Sequence, residues 1–425
     1  MQRRQFLQAG LCAALAAGVR AAVAADKRTP KILIRSAWQT VNIGDIAHTP
    51  GLLAILEKYL PEAELTLWPR NVDMGVDQLI LRRFPKLKIT RTDEDRVAAF
   101  RECDFLLHGS AASLSEGDVR KWIKETGKPF GIYGVGVPQY PEAVVKLVVS
   151  PPSGPSTIEV LNQAKFVFFR DSVSMRRAQE LGCRAPIMEY GPDAAFATDL
   201  TNDAAAEAFL KSAGLEAGKF LCCIPRLRIS PYWKMKPNVE FHPGRHARNE
   251  EMKEHDHRPL REAITRIVRE TEMKVLLCPE DSSHMELGRE MLLEKLPADV
   301  VKRVAWRKDY WLTDEARSVY ARSAGLFGNE MHSPIMCVGN GIPAIVCRWA
   351  EQTSKGVMWR DIGLGDWLFD LDREEEGARV VPAVLAMAKD PAAARARAAK
   401  AREFVRKRQR ETMAEVGRAL AATAA

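Results

Sequence analysis

Apolar residues in this chain fall in short continuous runs separated by amphipathic stretches. The first run is "KILIRSAW" (31–38), followed by "LTLW" (65–68), "DFLLHGS" (104–110), "PFGIYGVGVP" (129–138), "KFVFFRD" (165–171) and "APIMEYGPD" (185–193). Helical patterns lie between most of them, as at 44–60 and 172–182. Continuous rather than alternating apolar runs, spaced by helices, predict a parallel sheet covered on both faces. Residues 197–218 carry a helix but no strand, and predict a link. The alternation then begins again with "KFLCCIPRLR" (219–228), a long helix over 248–271, "KVLLCPED" (274–281), "VKRVAWR" (301–307), "AGLFGN" (324–329) and "PAIVCR" (343–348). Near the C-terminus, apolar positions 398, 401, 405, 412, 416 and 420 keep a helical spacing.

The pattern therefore predicts an α/β chain of two doubly wound, Rossmann-like domains with a C-terminal helix that crosses back, an architecture resembling the GT-B glycosyltransferase-like folds. The expected divisions are an export signal at 1–24, an N-terminal α/β domain at 25–205, a C-terminal α/β domain at 206–385 and a basic amphipathic helix at 386–425.

Composition narrows the function. The 46% hydrophobic and 28% charged fractions are those of a globular protein, and 425 residues suit two domains. No apolar run reaches the roughly 20 residues of a spanning helix. The eight cysteines show no C-x-x-C pair, and several sit inside apolar runs, so they read as buried thiols. Net charge is +8, but residues 391–425 alone contribute +6, leaving a nearly neutral body. That argues against nucleic acid as a partner.

The N-terminus reads as a leader. Arg3 and Arg4 precede Phe6-Leu7, a short apolar stretch and a small-residue site at Ala22-Val23-Ala24. This resembles a twin-arginine export signal, with the export machinery as partner and a periplasmic or otherwise extracytoplasmic destination.

Sites on doubly wound sheets lie beyond the carboxyl ends of the strands. After the first run, "TVNIGDIAHTPG" brings Asn42, Gly44 and Asp45 into a helix start, where N–H groups suit an anion and glycine permits close approach. An ordinary capped turn explains the same residues. In "FFRDSVS", Arg170 follows a strand directly and can grip a carboxylate or phosphate with two prongs, or pair with a neighbouring acid.

These pieces, in this order, resemble the polysaccharide pyruvyl transferase family. The shared segments are Asn42–Asp45, the glycine-rich Gly131–Gly136, Arg170–Ser174, Pro192–Phe196, and His332 followed by Gly341-Ile342-Pro343. The resemblance implies the two-domain fold and transfer of pyruvate from phosphoenolpyruvate onto two sugar hydroxyls as a ketal. It implies a glycan acceptor and no cofactor, and no metal pattern stands out in the sequence. In that chemistry His332 is the candidate proton donor to the donor's methylene carbon. Asp45 is the candidate acceptor of the sugar's proton, and Arg170, Asn42 and Gly44 are the candidate donor-binding residues.

Two features depart from the resemblance. Its R-x-H pattern stands here as Glu330-Met331-His332. An anion there is expected to raise the imidazole's pKa and to oppose a phosphate donor. An exported enzyme would also act away from cytoplasmic phosphoenolpyruvate.

The segment 230–247, "SPYWKMKPNVEFHPGRHA", predicts a long acceptor-binding loop, with Tyr232, Trp233 and Lys234 suited to a sugar face and an acidic glycan. Histidines 242, 246, 255 and 257 crowd nearby without a usual zinc spacing. Two other functions fit the same fold, a GT-B glycosyltransferase using a nucleotide sugar and a non-catalytic carbohydrate-binding protein. No feature of the sequence sets an oligomeric state.

Overall fold

The computed structural model describes residues 29–36, 39–147 and 153–423. The expected leader, 1–24, lies outside the described residues. Two parallel sheets form where the continuous apolar runs stand. The first contains β1 (Lys31–Ser36), β2 (Glu64–Pro69), β3 (Lys88–Ile89), β4 (Phe105–His108), β5 (Phe130–Val135), β6 (Val167–Phe169) and β7 (Met188–Tyr190). Its order is β3-β2-β1-β4-β5-β6-β7. The second contains β8 (Phe220–Ile224), β9 (Lys274–Leu277), β10 (Val304–Trp306), β11 (Gly325–Gly328), β12 (Ala344–Arg348) and β13 (Leu368–Asp370), in the order β10-β9-β8-β11-β12-β13.

The central strands are buried on both faces, as their uninterrupted Ile, Leu, Phe and Cys require. The pattern misses β3 and β13, two- and three-residue strands at sheet edges. They are too short to show a period, and each pairs on one side only.

The helix Ile43–Tyr59, which follows β1, also touches the second domain. Ile43 N donates to Glu280 O at 2.9 Å, and Thr313 Oγ1 donates to Ile43 O at 2.8 Å. The helix His332–Gly339, which follows β11, presses in return on the turn Ala194–Ala197. At Gly339 a Cβ would stand 1.9 Å from Phe196 O, so this approach needs glycine.

The C-terminal helix spans Pro391–Ala421, and the preceding helix Glu374–Lys389 extends past the expected start at 386. Asp390 separates them and caps the second by accepting from Ala393 N at 2.9 Å. The last helix buries Ala398, Ala401, Val405, Met413, Val416 and Leu420 and spans both domains. Arg395 donates to Ser323 O in the second domain, while Arg408 reaches Glu189 and Tyr190 O in the first.

The expected long loop at 230–247 is partly helical. A short helix covers Tyr232–Met235, and the long helix begins at Pro243 and runs to Glu270. His242 caps it, accepting from Arg245 N at 3.2 Å, with Pro243 in the first turn where its missing N–H costs nothing. Among the described residues, no helix is long and apolar enough to cross a membrane. The seven described cysteines are all buried and free.

Candidate active site

In each sheet the strand order reverses between two central neighbours, β1 with β4 and β8 with β11. Crevices open beyond the carboxyl ends at such reversals. Here the two reversals face one another, and a cleft of about 460 Å³ lies between them. Asp45 and His48 reach it from the helix after β1, and residues 111–115 line it after β4. Arg226 follows β8, His332 follows β11 and Lys355 lies beyond β12.

His332 begins its helix and is only 4% exposed. Its ring lies on Gly44, where a Cβ would come within 2.1 Å of His332 Cβ. Gly44 therefore serves as the seat of the histidine. His332 Nδ1 stands 3.3 Å from Glu280 Oε1 and 3.8 Å from Asp45 Oδ1, and makes no hydrogen bond among the described residues. Burial, then the Lys355 ammonium and the neighbouring ring of His48, push the imidazole down to about 3. Asp45 and Glu330 oppose this but lose. Glu330 does push the imidazole's pKa up, as expected, but desolvation outweighs it, and the resting ring is neutral at pH 7.

Glu330 does not face the cleft. It is 2% exposed, and its Oε2 accepts from Arg226 Nη1 at 2.9 Å and from Met331 N at 3.2 Å. Burial disfavours the Arg226 charge, but Glu330 together with Tyr232, Asp281 and Glu280 holds the guanidinium above its ordinary value. The anion expected to repel a donor is paired, and the cation of that pair lines the cleft.

Behind His332 stands a second histidine. His48 and His332 meet with ring centroids 5.0 Å apart, edge to face at 79°. His48 Nδ1 lies 2.8 Å from Asp193 Oδ1, both side chains buried. Arg170 Nη1 lies 3.6 Å from Asp193 Oδ2. Burial opposes ionisation of Asp193, yet His48 and Arg170 prevail and hold the carboxyl well below its usual range.

Of the residues singled out in the sequence, Asp45, His332 and Tyr232 line the cleft. Arg170 is buried beneath it, engaged with Asp193. Asn42 spends its carbonyl on Gly44 N at 2.8 Å and Asp45 N at 3.0 Å, so it caps the helix rather than leaving it open to a donor. Tyr232 accepts from Gln39 Nε2 at 2.8 Å. Trp233 packs on Phe241 at 5.5 Å and Lys234 lies 3.8 Å from Glu286, and neither lines the cleft. His48, Arg226 and Lys355 were missed. His48 stands three residues past Asp45, one helical turn on, which was the available signal.

Two groups of side chains converge closely enough for a cation, Asp45 with His48 and His332, and Asp281 with His284 and Glu330. In the second, His284 Nδ1 accepts from Glu280 N and Asp281 N, so its Nε2 carries the proton and faces the carboxylates as a donor. That Nε2 stands 3.3 Å from Asp281 Oδ2, which has no hydrogen-bond partner among the described residues, and 3.7 Å from Glu330 Oε1. The four crowded histidines of the long helix do not form such a group among the described residues. His257 Nδ1 bonds to Lys253 O, and His255 Nδ1 to Asp256.

The sequence profile of the family described as Polysaccharide pyruvyl transferase matches residues 42–351. Among curated proteins, none matches the chain. Solved structures share the fold at low identity. One is Anabaena Alr3699/HepE in complex with UDP and glucose, 10% identical with a TM-score of 0.54, covering 92% of this chain and 100% of that one. Another is the S. aureus MnaA–UDP co-structure, 12% identical with a TM-score of 0.55, covering 87% of this chain and 91% of that one. A third is the UDP-GlcNAc 2-epimerase from Methanocaldococcus jannaschii, 12% identical with a TM-score of 0.54, covering 84% of this chain and 92% of that one. The likeness establishes two doubly wound domains of the GT-B kind.

Proposed function

The chain belongs to the polysaccharide pyruvyl transferase family, and from that premise we propose that it is a transferase that moves a pyruvyl group, as a ketal, onto a sugar of a glycan. One observation carries the reading. His332, Lys355 and Arg226 line a single cleft in which positive charge is already crowded. Burial, then Arg226, lowers the Lys355 ammonium, and burial, then Lys355, lowers His332. Such a site gains most from an anion, and a donor with a phosphate and a carboxylate supplies two.

Phosphoenolpyruvate is the donor of that chemistry proposed here. Its anionic groups would settle against Arg226 and Lys355 and raise the imidazole of His332. The protonated ring then gives a proton to the methylene carbon, leaving C2 open to a sugar hydroxyl. Asp45, 3.8 Å from His332 Nδ1, steadies the imidazolium. Tyr232 and Tyr140 offer flat faces to the acceptor. The leader-like N-terminus supports a place outside the cytoplasm, where the cell would have to provide the donor.

The test is to incubate the protein with phosphoenolpyruvate and a panel of bacterial glycans, reading phosphate release and a new ketal methyl signal by NMR. Phosphate release that depends on the glycan supports the proposal. Sugar transfer from a nucleotide sugar instead would make it a glycosyltransferase, and glycan binding without turnover a binding protein.

A further inference from the structure

Pyruvyl ketal formation needs a base as well as an acid, and the structure holds a second histidine for which the resemblance gives no role. We infer that His48, oriented by Asp193, is the base that takes the proton of the first acceptor hydroxyl, an assignment that rests on the pyruvyl-transfer reading.

The geometry supports this in three ways. First, His48 lines the cleft while its Nδ1 is 2.8 Å from Asp193 Oδ1. An ionised carboxylate only accepts hydrogen bonds, so Nδ1 carries a hydrogen, and in the neutral ring that leaves the lone pair on Nε2. Second, Asp193 is fixed from other sides as well. Its Oδ1 accepts from Ala195 N at 3.0 Å, and Arg170 Nη1 stands 3.6 Å from Oδ2. A buried carboxylate holding one ring nitrogen of a histidine sets both its tautomer and its aim, as in hydrolytic triads. Third, the rings of His48 and His332 touch, with centroids 5.0 Å apart. Asp45 is the rival base, but a carboxylate is ordinarily the weaker base, and Asp45 is placed to steady charge on His332.

The step balances. The first hydroxyl oxygen bonds to C2 of the donor while its proton passes to His48 and C3 takes a proton from His332. The C2–O bond to phosphate then breaks, and its electron pair leaves with the phosphate. The second hydroxyl oxygen bonds to C2, and its proton departs on the phosphate. His48 returns its proton to His332 across their contact, so both rings end as they began. Asp193 and Arg170 are positioning residues in this scheme, which gives the fully buried Arg170 a purpose that donor binding does not.

His48→Gln keeps a side-chain donor toward Asp193 but has no basic nitrogen. Its kcat should fall 10²–10⁴-fold while phosphoenolpyruvate binding by calorimetry stays within about threefold. Added imidazole should restore part of the kcat of His48→Ala, which a packing role would not allow. A His48→Gln enzyme turning over at the wild-type rate overturns the inference, and so does a folded His48→Ala enzyme that imidazole does not rescue. Should the variants fail to fold, 15N NMR of histidine in the wild-type chain decides: a hydrogen on Nδ1 of His48 supports the assignment, and one on Nε2 overturns it. Wild-type protein that releases no phosphate with any glycan sinks the pyruvyl-transfer reading itself, a result separate from all of these.

Discussion

Arg226 and Glu330 stand side by side at the ends of adjacent strands, Nη1 to Oε2 at 2.9 Å. The register fixes this. Ile224 pairs with Gly328 between β8 and β11, and two residues further along each strand come Arg226 and Glu330. The acid two positions before His332 is thus the counter-charge of an arginine 104 positions earlier.

That pairing reverses what the sequence suggests for Glu330→Arg. Read alone, the change restores an expected cation and should tighten phosphoenolpyruvate binding. In the fold it sets two guanidiniums face to face where one partner is 2% exposed. Breaking a buried pair typically costs about 3–5 kcal/mol. Denaturant titration should show a loss of that order, with no gain in donor affinity by calorimetry. A stable Glu330→Arg protein that binds donor more tightly would refute the pairing.

Donor binding should take up protons. His332 is held down to about 3 in the free protein, foremost by burial, so it is neutral near pH 7. An anion beside it favours the charged ring, so the complex gains up to one proton. Calorimetry with phosphoenolpyruvate in buffers of different ionisation enthalpy measures this uptake. His332→Gln should abolish the uptake, cut transfer by about 10²–10⁴-fold and leave the protein folded. Equal heats in every buffer would show that the donor does not charge His332.

The sheets, their order of elements and the crossing helix were legible because continuous apolar runs and a 3.6-residue period are local signals. His332 and Asp45 were legible from their place after strands. Asn42 and Gly44 were assigned to a donor through the resemblance, although a capped turn explained them equally, and the fold shows that cap together with the imidazole seated on Gly44. Arg170 looked like a ligand grip because Asp193, its partner, is far along the chain. Lys355 and Arg226 left no signal, since a lone cation after a strand is commonplace until two domains face one another. Trp233, expected to face a sugar, packs on Phe241 and does not line the cleft, a placement no local pattern encodes.

Trp233 and Tyr232 should therefore separate cleanly. Tyr232 lines the cleft and Trp233 does not. Tyr232→Ala should raise the KM for the glycan about tenfold, and Trp233→Ala should leave it within about twofold. Steady-state kinetics on any accepted glycan makes the comparison, and the reverse ranking would return the acceptor site to Trp233.

Export is testable without any substrate. The paired Arg3 and Arg4 before an apolar stretch are proposed to direct the folded chain across the membrane. Changing both to lysine should leave the full-length precursor inside the cell, while the wild-type chain appears outside the cytoplasm, shortened to begin near Ala25. Fractionation and N-terminal mass spectrometry read the outcome, and equal export of both forms would exclude this signal.

The buried histidines predict sensitivity to mild acid. Burial, the largest cause in each case, lowers His108 and His257 to about 4 and His332 to about 3. In the unfolded chain each returns to about 6.5. Between roughly pH 6.5 and 4 the unfolded state therefore binds protons that the folded state refuses. Stability falls as pH drops through that window, by on the order of 3 kcal/mol per histidine at its lower end. Asp193 adds to the loss at lower pH still, because its depressed carboxyl stabilises the fold only while ionised. Denaturant midpoints at pH 7, 6 and 5 should decline steadily. His257→Phe removes one of the three titrating groups without touching the cleft and should flatten the slope by about a third. A stability that does not change from pH 7 to 5 would mean that these rings already carry their protons inside the fold.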